Sequence, residues 1–146
     1  MGHVASGAEL LSVAKGLRSH IISQRDVIEA SRRLPEELAC ELARAGFFRI
    51  FLRSAFGGLD MTPADGIAVF EELAKADASV AWCVWNGNTH WTAAQLSPEA
   101  AHVIHADPNP ANNTRLSGQA QVVENGYRVT GRWSLAQVAW QNPSIS

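Results

Sequence analysis

The chain has no excess of charge of either sign: 12 basic against 14 acidic side chains give a net charge of −2. A protein that neutralises a phosphate backbone needs a basic surplus, so nucleic-acid binding is not expected. No basic helix or helix-turn-helix pattern offsets that conclusion. No run of eighteen or more apolar residues occurs, so no membrane-spanning helix is expected. The N-terminus shows no basic segment leading into an apolar core and a small-residue cleavage site, so no secretory signal is expected and a cytoplasmic location is. Cysteine is scarce. Cys40 and Cys83 stand in different predicted helices and form no CxxC pair, which reads as two reduced, buried thiols. Repeats and low-complexity tracts are absent. Charged residues make up only 18% against 47% hydrophobic, which suits a chain that buries a core and excludes disorder along its length.

What is present begins with helical periodicity. From Ala8 to about Arg33, apolar residues recur at Leu10, Val13, Ala14, Leu17, Ile21 and Ile28, one stripe on one face. Arg18 and Arg25 fall outside it and are assigned to the solvated side. A second helix is announced by Pro35 with Glu36 and Glu37 in its first turn, carries Leu38, Leu42 and Ala45, and stops at Gly46. Phe47 to Leu52 reads as an extended segment or a buried connector. Gly57 and Gly58 mark a turn with positive φ. Thr62, Pro63 and Asp65 supply a cap, a first-turn proline and an acid at the third position. The helix they open has Ile67, Phe70, Leu73 and Ala74 as its apolar side, and Asp77 caps the next.

Residues 78 to 96 contain no Asp, Glu, Lys or Arg. A helix without charge is expected to be buried on most sides. Val80, Val84, Gly87, Trp91 and Ala94 form one stripe, and Gly87 would admit a neighbouring backbone. Another face carries Trp82, Asn86 and His90 at steps of four, flanked by Trp85 and Thr89. Such polar groups need partners, either protein groups or a ligand. Trp82 and Trp85 suit the wall of a pocket for a flat substrate or, equally, an ordinary core. His90 suits either a substrate hydroxyl or a hydrogen-bonded core position.

Ser97-Pro98-Glu99 opens a short helix. His102 and His105 on it share a spacing that metal pairs use, but no third ligand is evident and no metal is expected. Asp107-Pro108-Asn109-Pro110 ends the helix and marks a boundary. The period then changes to alternation. Gln119–Glu124 and Tyr127–Trp133 flank Asn125-Gly126, a hairpin signal in which both turn residues take positive φ. Tyr127, Val129, Gly131 and Trp133 share one face. The fold class is therefore mainly α: a helical domain over 1–112, then the start of a β-domain over 113–146. A lone hairpin is marginal in water, so the second domain is expected to be incomplete or completed by another chain.

Four motifs in this order carry a resemblance to a known family: "RLPEELACELARAGFFRIFL" (33–52), "FGG" (56–58), "EELAKADASVAW" (71–82) and "NGYRVTGRWSLA" (125–136). Over about residues 31 to 136 the chain resembles the acyl-CoA dehydrogenase superfamily, and within it the two-component flavin-dependent monooxygenases that hydroxylate aromatic or polycyclic substrates. Thr114 to Ala120 lacks the "TEP" triplet typical of the dehydrogenase branch. The resemblance implies an oxidoreductase using FAD or FMN, with reduced flavin and O2 as reactants. It implies that Ser117 and Gly118 lie on the flavin-facing edge, that Trp133 lies beside the ring and that Ser134 or its neighbours bond to it. Trp82, Trp85, Asn86 and His90 would border the substrate. It further implies a C-terminal helical bundle, absent here, so the catalytic residue of the dehydrogenase branch has no counterpart to name. Departure from the family pattern after Trp133 suggests interruption near Ala136, by frameshift or deliberate truncation, with a tail over 137–146 unrelated to the family. Expected partners are flavin, a small-molecule substrate, and further copies or a partner subunit. The rival reading is a non-catalytic remnant that acts as an oligomerisation or interaction module.

Overall fold

The computed structural model describes residues 7–88, 97–106 and 118–132, the last four of 97–106 by backbone alone. Among the described residues six α-helices precede one hairpin: α1 (Gly7–Ser23), α2 (Arg25–Ser31), α3 (Glu36–Ala45), α4 (Pro63–Ala76), α5 (Ala78–Gly87) and α6 (Pro98–Ala106), then β1 (Gly118–Val123) and β2 (Gly126–Gly131). The mainly α class with a terminal hairpin is as expected.

The N-terminal stripe is two helices, not one. Gln24 N–H bonds the Ile21 carbonyl, one residue closer than α-helical pairing, and Ser23 Oγ donates to the His20 carbonyl at 2.6 Å. These local bonds tighten the turn at 24 and end α1 there. Leu10, Ala14, Leu17 and Ile21 are buried along α1, and Ile28 on α2, whereas Val13 is largely exposed. α1 packs along α4, and α4 against α5.

Arg18 and Arg25 do not simply face solvent. Arg18 pairs with Glu72 of α4, a carboxylate only 3% exposed, which Lys75 also contacts at 3.1 Å. The Lys75 and Arg18 bonds outweigh burial and hold the Glu72 carboxyl below the usual carboxylate range. Arg25 Nε donates to the Ala76 carbonyl at 2.7 Å and lies 3.9 Å from Asp77.

α3 begins after Pro35 and ends at Gly46, whose φ of 92° places it in the left-handed cap. The next segment is a buried connector rather than a strand: Phe47–Arg49 is a 3₁₀ turn, and Phe47, Phe48, Ile50 and Leu52 are buried. It is stitched to the chain beyond the glycine turn by Leu59 N–H to Arg49 O, Asp60 N–H to Leu52 O and Met61 N–H to Ile50 O. Gly57 has the expected positive φ; Gly58 does not. Gly58 is required by space, since a Cβ there would stand 2.0 Å from the Leu52 carbonyl oxygen.

α4 opens with the expected cap: Thr62 Oγ1 accepts from Asp65 N–H at 3.2 Å and donates to its carboxylate at 2.7 Å. Its buried side is the expected one only in part: Leu73 is buried and Phe70 packs against the core, but Ala74 is exposed. Gly66, Val69, Leu73 and Ala76 face the core, while Ile67 is half exposed. The ring of Phe51 lies over Gly66, 2.4 Å from where a Cβ would stand, so the glycine rotates the core face by one residue.

The hairpin pairs Gly118 with Gly131, Ala120 with Val129 and Val122 with Tyr127 on one face, and Gln119 with Thr130 and Gln121 with Arg128 on the other. Its turn sits one residue earlier than expected. Glu124 and Asn125 are the central residues; Asn125 has φ 66° and Gly126 begins β2, so only the second turn position is left-handed. The expected face of Tyr127, Val129 and Gly131 is preserved because the register keeps their alternation. Trp133 lies outside the described residues.

Candidate functional site

α5 starts at Asp77, whose Oδ1 accepts from Ser79 N–H at 2.8 Å and Val80 N–H at 3.2 Å. The same residue ends α4, so two helices meet at one extended residue, φ −158°. Arg25 reaches this junction from α2 and supplies a cation to the α4 C-terminus, where the helix dipole favours one. At the other end, Asn88 is buried and fully used. Its Oδ1 accepts from Ile50 N–H at 2.7 Å, and its Nδ2 donates to Phe47 O at 2.7 Å and Val84 O at 2.8 Å. These bonds staple the α5 terminus to the connector.

The core stripe of α5 is as read from the sequence through its described part: Val80, Val84 and Gly87 are buried. Trp91 and Ala94 lie outside the described residues. The close approach at Gly87 comes from a side chain rather than a backbone: Phe48 Cδ1 would be 2.4 Å from a Cβ.

The charge-free helix is not buried on most sides. Trp82 is 55% exposed and Trp85 51%. The apolar residues of α5 serve two faces, one toward the core and one open, which a lack of charge does not distinguish. Asn86 is half-buried and its Nδ2 bonds the Trp82 carbonyl of its own helix at 2.8 Å. The structure therefore brings Trp82, Trp85 and Asn86 together on one described face. His90 lies outside the described residues, as do Ser117, Trp133 and Ser134.

The open face is braced from below. Phe70 meets Trp85 edge to face at 5.4 Å, and Phe51 meets Phe70 at 5.9 Å. Phe70, Ala74, Ala81, Trp82 and Trp85, together with Glu71, line a shallow trough of about 350 Å³ between α4 and α5. Small side chains on both helices leave room for the two indole rings to form its walls. On the other side of α5, burial, and then Asp77, raise the Cys83 thiol pKa, so the thiol stays neutral. Cys40 and Cys83 are both free and half-buried.

Of the residues that the resemblance assigns to flavin, Gly118 alone is described. It pairs with Gly131 across the hairpin, so neither strand carries a Cβ at that end. The bare backbone fits the approach of a flat ring system. On α6, the His102 ring packs edge-on against Phe56 at 5.2 Å, a structural contact. Among the described residues no group of His, Cys, Asp and Glu is arranged to hold a metal, and no helix is long and apolar enough to cross a membrane.

Arg25, Phe70 and Asn88 were not legible as site residues. Asn directly after a helical glycine is a possible cap signal for Asn88; the contacts of Arg25 and Phe70 have no local signal.

Comparison with known proteins agrees with this architecture. The chain is 28% identical over 110 residues to the flavin-dependent monooxygenase oxygenase subunit HsaA of Rhodococcus jostii (strain RHA1), covering 73% of this chain and 29% of that protein. It is 24% identical over 136 residues to the indole-3-acetate monooxygenase of Pseudomonas putida, covering 89% of this chain and 34% of that one. The crystal structure of the HsaA monooxygenase from M. tuberculosis superposes with a TM-score of 0.76 at 26% identity, over 87% of this chain and 34% of that one. The chain thus spans about a third of the length of the relatives it matches. Residues 10–100 match the acyl-CoA dehydrogenase N-terminal domain, and the chain belongs to that family.

Proposed function

We propose that this chain supplies the helical domain and the opening hairpin of the oxygenase component of a flavin-dependent monooxygenase, acting on an aromatic or polycyclic substrate. The observation that carries this reading is the half-exposed pair Trp82 and Trp85, braced by Phe70 and accompanied by Asn86. Half-exposed indoles fixed at both ends of their helix give a rigid, flat, apolar wall. The similarity to two monooxygenases supports the reaction class.

The domain division is 1–112 for the helical domain and 113–146 for the β portion. Trp82, Trp85, Asn86 and His90 border the substrate. Ser117, Gly118, Trp133 and Ser134 contact FAD or FMN, whose reduced form supplies the electrons for oxygen activation when bound. A partner subunit or protein delivers the reduced flavin. The chain's own residues bind and orient: the tryptophans exclude water from a stacked ring, and Asn86 offers its side-chain carbonyl to a substrate hydroxyl. Titrating the chain with a panel of neutral phenols while following tryptophan fluorescence tests the reading. Saturable quenching by one phenol, lost in Trp82→Ala, is the expected result; no quenching by any member counts against it.

A second reading has its own observation. Val122 is 82% exposed on the same hairpin face as Tyr127 and Val129, and large apolar surface of that kind marks pairing with another polypeptide. On this reading the chain is a non-catalytic interaction module.

A further inference from the structure

A groove of about 740 Å³ lies between the end of α2 and the start of α5, on the far side of Trp82 from the α4–α5 trough. Its volume is in the range of small-ligand sites. Ile28, Leu34, Trp82 and Cys83 form its apolar wall. Arg32 and Arg33 stand at its rim and, among the described residues, neither guanidinium has an ion-pair partner. Glu29 also lines it but pairs with neither, so two cations face one carboxylate there. Asp77, close behind Ser79, is already engaged by Arg25 and by the α5 amides. The Cys83 thiol, kept neutral by burial, adds no anion.

An apolar wall with an indole face, beside two guanidiniums that no described residue pairs with, matches one ligand chemistry. We propose that this groove binds a flat aromatic anion, its ring against Trp82 and its carboxylate between Arg32 and Arg33. Arg32 holds its position by a left-handed backbone, φ 54°, which turns the chain at the end of α2 and brings adjacent arginines to one rim. Two planar donor forks suit a carboxylate better than a single ammonium would. The assignment stands on this groove alone and does not depend on the monooxygenase reading.

Calorimetric titration of the purified chain with naphthalene carboxylate, neutral naphthalene methanol and cyclohexane carboxylate tests it. Naphthalene carboxylate should bind saturably with Kd of about 1 mM or tighter, the scale expected of a ligand that small. Both comparators should bind at least about fivefold more weakly, the size of one partly exposed ion pair or one stacking contact. Arg32→Gly keeps the left-handed backbone and removes the guanidinium; with Arg33→Ala it should abolish the preference for the anion while leaving thermal unfolding unchanged. Trp82→Phe should weaken all aromatic ligands alike, and the arginine variants decide the matter if that protein does not fold. Equal affinity for the anion and the neutral analogue, an arginine double variant that binds as wild type, or no binding up to about 10 mM would each overturn the proposal.

Discussion

Single residues decide how this helical domain closes. Asn88 satisfies one backbone donor and two backbone acceptors that would otherwise be buried without partners. Asn88→Ala should cost about 2–4 kcal/mol, because leaving such groups unpaired costs more than a made bond contributes; urea denaturation measures it. Gly87→Ala drives a methyl into the Phe48 ring and should destabilise by about 1–3 kcal/mol, as overpacking does. A Phe48→Leu background should return part of that loss, since contacting sites couple. Glu72 gives a pH dependence. Its carboxyl is held below the ordinary value by Lys75 and Arg18, so its folded pKa is depressed. The stability it contributes is present above the unfolded pKa and is lost as pH falls through the folded one, from about pH 5 downward. Glu99, lowered by its own backbone amide and Ser97, adds in the same direction. Thermal unfolding of Glu72→Gln should therefore fall less steeply with acidification than that of wild type. These residues also mark the limit of sequence reading. Asp77 and Thr62 declare their caps locally, within three residues. Asn88, Arg18 and Arg25 act across 38 to 54 positions of chain, a separation no local pattern encodes.

At the scale of elements, periodicity identified the helices but assigned some faces wrongly. α4 presents Gly66 rather than Ile67 to the core because Phe51 lies over the glycine. α5 carries no charge yet exposes two tryptophans. Both misreadings have one cause: hydrophobicity counts apolar residues but not how many faces they serve. The hairpin was readable in strands and alternation, whereas its turn moved by one residue because Asn125 alone takes the left-handed conformation. Element packing yields a further prediction. Arg25 is the cation at the α4–α5 junction. Arg25→Ala should cost about 1–2 kcal/mol, the range for a charged group at a helix C-terminus in a partly buried site. Amide exchange should accelerate in the first turn of α5 and leave α3 unaffected, whereas uniform acceleration would mean that the junction has no local role.

For the molecule as a whole, the family, the mainly α architecture and the terminal hairpin were legible from four ordered motifs, and the fold match over 87% of the chain agrees with them. Of the residues expected to border a substrate, Trp82, Trp85 and Asn86 share one surface among the described residues, as their helical spacing required. Of the residues that the resemblance assigns to flavin, Gly118 is described, paired with Gly131 across the hairpin. The central claim is that helical face and hairpin end belong to one flavin-dependent site. Its most direct test is a calorimetric titration of the purified chain with oxidised and reduced FMN and FAD, repeated on Trp133→Ala. Saturable binding of one flavin, weakened about tenfold or more by loss of a stacked indole, is the predicted result. No binding of any flavin in any redox state would contradict the claim and leave the interaction module as the reading to pursue.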